Sequence, residues 1–186
     1  VEWRGLPLVL QAHATGNPGV RLWRVLGPLP AGTGAPASPD FDPSRPDFNA
    51  VFRAPDGTLL PWREIKRPDN LCAEADHLLH FARIFGRQAN DSVAYAWTAL
   101  RSGTEQNVFL SLGASDSIRV WLNGVPVYAD RSDREWAPGN LRIPIDLKAG
   151  TNRLLVESTH GRGLWFLSAR VETPDERPAP AIKYLD

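Results

Sequence analysis

The chain has 186 residues, of which 42% are hydrophobic and seven are tryptophan, enough for the core of one all-β domain but cramped for two domains. Its 21 basic and 21 acidic residues balance, so the excess of positive charge that favours nucleic acid or an anionic membrane is missing. No apolar run reaches the roughly eighteen residues of a membrane span. We therefore expect no nucleic-acid partner and no membrane insertion.

The single cysteine and the start of the chain bear on its cellular context. Cys72 alone allows neither an intrachain disulfide nor a cysteine-based zinc site, and its apolar neighbours favour a buried side chain over a nucleophile. The first residues lack a signal-peptide pattern, and the chain contains no methionine. These features predict either a mature product or a piece excised from a longer polypeptide, and we favour the excised piece.

The first third of the chain predicts separate strands around a long loop. Residues 1–20 are expected to form an N-terminal extension or an edge strand, where a proline is tolerated. A strand is predicted over residues 21–26. The Pro-, Gly- and Ala-rich residues 29–46 predict a loop, and residues 48–65 resemble a hairpin that turns at Pro55-Asp56-Gly57.

Residues 71–85 are the only stretch with helical spacing, and Gly86 would end a helix there. The alternative, which we favour because the rest of the chain is so consistently β, is a strand over residues 77–81 followed by one helical turn. His77 and His80 would share a metal-binding face only on a helix, since spacing three places them on opposite faces of a strand.

From Val93 onward, strands are predicted at short, regular intervals. They cover residues 93–100, 108–112, 118–122, 125–128, 141–147, 153–158 and 164–171. Asn123-Gly124 is typical of a type I′ hairpin turn, because both central residues of that turn need positive φ. Alternation directs Val108, Leu110 and Leu112 to one side, whereas Trp121 faces away from the main apolar side of its strand. The Pro-rich residues 173–186 predict a linker that leaves the domain.

Five motifs occur in order along residues 21–172. They are Trp23–Pro28, His80–Gly86 followed by Val93–Thr98, Ser115–Gly124, Leu147–Val156 and Gly163–Phe166. Together they resemble the galactose-binding-domain-like jelly-roll modules of secreted and surface bacterial proteins, which are similar to the jelly-roll domain of β-galactosidase-type glycoside hydrolases. The resemblance implies a jelly-roll β-sandwich of two antiparallel sheets with at most one or two short helical turns. Ser117 and Glu157 depart from the motifs, so no ligand role is carried over to them.

The resemblance also implies a function and a location. Such modules are non-catalytic and accompany an enzyme in a larger exported bacterial protein. The implied partners are a polysaccharide or oligosaccharide and covalently linked neighbouring domains. The implied location is extracellular, at the cell surface or periplasmic. The alternative is a structural module that packs on a neighbouring domain or protein through an apolar surface patch. An outward-facing Trp121 is one observation that favours this alternative.

We do not expect an enzyme. The chain has no G-x-S-x-G nucleophile motif. Asp130, Asp133 and Glu135 are interleaved with two arginines, which is typical of a solvated loop with local ion pairs rather than of a glycosidase carboxylate pair. A stand-alone hydrolase is therefore a distant third hypothesis. The resemblance allows a structural Ca²⁺ ion, but no loop spacing locates it and its ligands stay unassigned.

Aromatic side chains in polar loops are the best indication of a ligand site. A sugar ring stacks its apolar face on tryptophan, while charged side chains bond its hydroxyl groups. The loop at residues 130–140 combines these groups, although its tryptophan could equally hold the loop on the sandwich. The predicted carbohydrate-binding residues are Trp136, Arg131, Arg134, Asp133, Trp62 and His160.

Overall fold

The computed structural model describes residues 19–31, 42–54, 56–66, 78–86 and 89–184. Their strands are β1 (Leu22–Pro30), β2 (Val51–Arg53), β3 (Leu59–Pro61), β4 (Arg63–Lys66), β5 (Leu79–His80), β6 (Ser92–Ser102), β7 (Gln106–Ala114), β8 (Ser117–Leu122), β9 (Val125–Asp130), β10 (Leu141–Leu147), β11 (Gly150–His160), β12 (Phe166–Glu172) and β13 (Ile182–Tyr184), and the short helix α1 (Phe81–Phe85) follows β5. No helix in this part of the chain is long and apolar enough to cross a membrane.

Two antiparallel sheets form an all-β sandwich, which confirms the predicted fold class. The larger sheet has the order β4-β1-β6-β11-β8-β9, with β13 also paired to β6. The smaller sheet has the order β10-β7-β12-β5. Strands β2 and β3 form a separate hairpin, which confirms the turn predicted at Asp56-Gly57.

The sandwich core lies between the two sheets and follows the predicted alternation. In β7, Val108, Leu110 and Leu112 are at most 4% exposed and belong to the main core cluster. Leu154 and Val156 of β11 belong to the same cluster from the larger sheet. Burial of one such side chain stabilises the fold by about 1.5–3 kcal/mol before entropy is counted.

A second apolar cluster covers the outer face of the larger sheet. Leu26, Trp121 and Leu155 lie in this cluster with Leu60 and Trp62. Trp121 is only 7% exposed, so it does face away from the main core, as predicted, and the chain's own residues cover it. An outward Trp121 therefore no longer supports an interaction surface.

Asn123 and Gly124 adopt the predicted positive φ angles, 53° and 83°, and β8 pairs with β9 across them. Strand β7, which precedes β8 in the sequence, lies in the smaller sheet. The chain changes sheets at Ser115 and Asp116, where Asp116 has a φ angle of 53°. The predicted break between the two strands is thus a crossing from one layer of the sandwich to the other.

The favoured interpretation of the helical segment is confirmed over the residues that the structure describes. Strand β5 is followed by one short helix, which ends at Gly86 with a φ angle of 70°. Residues 71–77 lie outside the described residues, and with them Cys72 and His77.

The predicted linker at the C-terminus is folded onto the domain over its described part. Residues 173–177 form a turn in which the Thr173 amide donates to the Arg177 carbonyl at 2.9 Å, and β13 pairs with β6. The Tyr184 hydroxyl accepts a hydrogen bond from the Val171 amide at 2.8 Å. A linker is the wrong interpretation of residues 173–184, because Ile182 and Tyr184 pack against the core.

At the other end, Val20 is fully buried, and its amide donates to the Ala169 carbonyl at 2.9 Å. The packed domain therefore begins no later than Val20. Residues 1–18, where an extension or edge strand was predicted, lie outside the described residues.

Candidate functional site

The loop of residues 131–140 connects the two layers of the sandwich. It leaves β9 in the larger sheet and enters β10 in the smaller one. Trp136 lies at its middle, on the outer face of the smaller sheet, with its ring edge-on to Phe166 at a centroid distance of 5.8 Å. Its Nε1 atom is buried, whereas the residue as a whole is partly exposed. The indole thus lies with its nitrogen edge on the sheet, while part of the residue reaches solvent.

Hydrogen bonds fix the first half of this loop. The Asp130 carboxylate accepts bonds from the Ser132 amide at 2.9 Å, from the Ser132 hydroxyl at 2.8 Å and from Arg134. The two Ser132 bonds, together with Arg134, hold the pKa of Asp130 well below its ordinary value. The Arg134 carbonyl in turn accepts a bond from the Asp116 amide at 2.9 Å. The loop is therefore held at defined points.

Charged and aromatic side chains share the outer face of the smaller sheet with Trp136. Strand register places Arg142 and Arg170 on either side of Ser111, and Phe109 opposite Glu172. We call Trp136, Phe109, Arg142, Arg170 and Glu172 the Trp136 face. It combines planar donors, a carboxylate and apolar rings, which are the groups that bond sugar hydroxyls and stack on sugar rings.

The charges of the Trp136 face are arranged around a buried carboxylate. Glu172 is 2% exposed; Arg170 donates to it through Nε, and the Arg142 Nε atom lies 3.8 Å from it. The guanidinium of Arg142 also lies over the Phe109 ring, 4.6 Å from its centroid. Glu172 orients Arg170, whereas the Arg142 Nη2 atom donates to the Thr173 and Pro174 carbonyls at 3.3 and 3.2 Å. Because the side chains of Arg170 and Arg142 remain 28% and 32% exposed, respectively, both arginines reach solvent.

Four of the six predicted site residues lie together in the loop. Arg131 and Asp133 are exposed beside Trp136, and Arg134 is held by Asp130. The structure places the remaining two elsewhere. Trp62 is 8% exposed in the cluster on the larger sheet, so it does not join the Trp136 face. Sugar contact by the four loop residues stays a prediction.

His160 is fully buried at the end of β11. Its Nδ1 atom lies 2.9 Å from an Asp116 carboxylate oxygen, and its ring stacks on Trp165 at a centroid distance of 4.9 Å. The same Asp116 oxygen accepts a bond from the Gly161 amide at 3.1 Å. These contacts give His160 a structural role where the chain crosses between the sheets. They leave no surface of His160 accessible to a ligand.

The sequence interpretation missed the strand residues of the Trp136 face. Polar side chains alternate with apolar ones along β10 and β12, which was a visible signal for outward-facing Arg142, Arg170 and Glu172. Nothing in the sequence shows that β10 and β12 flank β7 on opposite sides. That neighbourhood brings the three charged residues together.

No group of three or more His, Cys, Asp or Glu side chains is placed to hold a metal ion within the described ranges. The loop carboxylates of Asp130, Asp133 and Glu135 do not form such a group. The ligands of the structural Ca²⁺ ion that the family resemblance allowed therefore stay unassigned.

Comparisons with known proteins show distant likenesses of structure. No family model matches the chain, and no curated protein matches it. A family 35 carbohydrate-binding module from an environmental isolate is similar over 53% of this chain and 76% of its own, with 17% identity and a TM-score of 0.39.

Two enzymes are similar over more of this chain. A Faecalibacterium prausnitzii β-glucuronidase shares 17% identity over 76% of this chain, with a TM-score of 0.41, and a family 31 glycoside hydrolase α-xylosidase from Xanthomonas citri shares 16% identity over 85%, with a TM-score of 0.42. This chain spans 20% and 14% of their lengths, respectively. At these TM-scores and identities, the likeness carries no information on function.

Proposed function

We propose that the chain is a non-catalytic carbohydrate-binding module with a galactose-binding-like jelly-roll fold, and that a polysaccharide or oligosaccharide binds on the Trp136 face. The observation that carries the proposal is a partly exposed tryptophan on a fixed loop, on the same sheet face as two partly exposed arginines, of which Arg170 is bonded to the buried carboxylate of Glu172. Stacking on an indole and paired bonds to hydroxyl groups are together the contacts that a sugar ring offers.

The wider context belongs to the same proposal and rests on the sequence resemblance. The module belongs to a larger exported bacterial protein, covalently linked to other domains, and works outside the cytoplasm. There it positions a catalytic neighbour on its glycan and carries out no chemistry itself.

Screening the protein on a glycan array and by affinity electrophoresis tests this function. The wild type should bind at least one plant, algal or microbial glycan. Trp136→Ala should weaken that binding about tenfold, because it removes the aromatic contact surface. The control Val125→Ala changes a side chain that is 61% exposed at the hairpin turn and should leave binding unchanged. Absence of binding to every glycan, or wild-type binding by Trp136→Ala, would contradict the proposal.

A second candidate function has one observation in its favour. The outer side of the β2–β3 hairpin exposes Val51 and Leu59, which are 54% and 56% exposed, and such apolar side chains favour contact with another protein surface. If the chain is an interaction module, sedimentation should show association that the double change Val51→Lys and Leu59→Lys abolishes. A monomer at all concentrations and an unchanged profile for that variant would argue against this function.

A further inference from the structure

The loop that carries Trp136 ends at Asn140, whose side-chain carboxamide makes the hydrogen bonds that a peptide group would make in the sheet. Strand β10 begins at Leu141, which pairs with Leu112 of β7. One step beyond this ladder, the Asn140 Oδ1 atom accepts a bond from the Ala114 amide at 3.1 Å, and Asn140 Nδ2 donates to the Ala114 carbonyl at 2.9 Å. A carboxamide offers the same donor and acceptor as a peptide, so it extends the ladder while the main chain turns away.

The same carboxamide also fixes the backbone beside the tryptophan. Asn140 Nδ2 donates a second bond, to the Glu135 carbonyl, at 3.0 Å. The Asn140 amide donates to the Ala137 carbonyl at 3.3 Å. Residues on both sides of Trp136 are thereby tied to Asn140, and Asn140 is tied to β7.

Gly113 provides the surface on which the indole lies. A Cβ atom added to Gly113 would lie 2.7 Å from Trp136 Nε1, 2.5 Å from the Ser168 hydroxyl and 2.9 Å from the Ala137 carbonyl. Contacts that short do not occur between packed atoms, and two of the three involve the loop itself. Any side chain larger than hydrogen at residue 113 would therefore lift Trp136 and its loop from the sheet.

We infer that Asn140 and Gly113 are the positioning residues of the carbohydrate site, which hold Trp136 in its binding orientation before the glycan arrives. The inference rests on the proposed function, because it assigns Trp136 the ligand contact. A side chain that is already ordered loses less conformational entropy on binding, so the affinity depends on these two residues although neither needs to touch the sugar.

Fluorine NMR of the full chain labelled with 5-fluorotryptophan tests the positioning directly. The seven tryptophans should give separate signals, and the signal that disappears in Trp136→Phe is that of Trp136. Asn140→Asp keeps the size of the side chain but removes both donated bonds, and Gly113→Ala adds the obstructing Cβ. Both variants should move the Trp136 signal toward that of the free amino acid and leave the others in place. The control Asn107→Ala changes an exposed asparagine of β7, the strand that contains Gly113, and should leave all signals unchanged.

Glycan affinity of the same variants tests the consequence. Asn140→Asp and Gly113→Ala should each weaken binding about tenfold, with circular dichroism spectra like that of the wild type. An unmoved Trp136 signal in both variants would overturn the inference, and so would a displaced signal with wild-type affinity. If the wild type binds no glycan, the proposed function fails, and the fluorine spectra alone decide whether Asn140 and Gly113 position Trp136.

Discussion

His80 links β5 to α1, and its imidazole caps the helix. The Nδ1 atom accepts a bond from the Arg83 amide at 3.3 Å, which requires that nitrogen to be unprotonated. Burial lowers the pKa of His80 from its ordinary value, and the neighbouring Arg83 charge lowers it further. The neutral ring is therefore the form that the folded state prefers.

This preference predicts a loss of stability in mild acid. Because the pKa of His80 is lower in the folded than in the unfolded chain, its contribution is complete above about pH 6.5 and is lost as the pH falls through the folded-state pKa. Asparagine also caps helices, so His80→Asn should reduce the drop in urea midpoint between pH values of about 7.5 and 5. An equal drop in wild type and variant would show that His80 does not contribute.

Glu157 is a buried charge on the outer face of the larger sheet, and its partner is Arg119. Glu157 is 6% exposed and accepts two bonds from Arg119, at 2.7 Å from Nε and 2.5 Å from Nη2. The pKa of Tyr95 is raised by its own burial and by this carboxylate. Removing the arginine would leave a buried anion beside a buried phenol.

Arg119→Met should therefore lower the free energy of unfolding by about 1–3 kcal/mol, less than for a fully buried pair because Arg119 is partly exposed. The measurement is urea denaturation. Adding Glu157→Gln to this variant should recover part of the loss, since the unpaired charge is then gone. Arg101→Met, at an exposed arginine of β6, is the matched control. A double variant less stable than Arg119→Met would contradict this account of the pair.

At the scale of elements, two turns are joined by asparagine side chains. Asn123 in the β8–β9 turn donates to the Asn152 Oδ1 atom at 3.0 Å and accepts a bond from the Arg153 amide at 2.9 Å. Asn152 itself accepts from the Lys148 amide at 3.0 Å and donates to the Lys148 carbonyl at 2.8 Å. Asn123 thus links the two turns in addition to adopting the positive φ angle that its own turn needs.

Asn152→Ala should destabilise both turns together. Asn152 is fully buried, so its loss leaves backbone groups without partners and should lower the free energy of unfolding by about 1–3 kcal/mol. Hydrogen exchange should quicken at both turns. Asn49→Ala, at an exposed asparagine, should change neither quantity. Faster exchange at the β10–β11 turn alone would contradict the coupling.

The elements that local chemistry specifies could be predicted from the sequence. Asn123-Gly124 and Gly86 have residue types that their φ angles favour, and the alternation in β7 identified its core face. The assignment of β7 and β8 to different sheets could not be predicted, because alternation shows which side of a strand is apolar but not its neighbours.

At the scale of the whole molecule, the all-β sandwich was predictable, but the segments that pack on its sheets were not. The Pro-rich composition of residues 173–184 concealed a strand whose pairing with β6 is purely tertiary. Trp62 and Trp136 both looked like loop aromatics. One is buried because the described residues of 42–54 and 56–62 fold over the larger sheet, and the other stays partly exposed on the smaller sheet. That difference depends on contacts between distant segments.

A chemical-shift map measures directly where the glycan binds on the folded molecule. The ¹⁵N-labelled full chain is titrated with the tightest-binding glycan from the array. We expect the largest shifts at the Trp136 indole and amide and along the outward residues of β10, β7 and β12, with the outer face of the larger sheet unchanged. Shifts confined to the larger sheet or to the β2–β3 hairpin, or no shifts with any glycan, would contradict it.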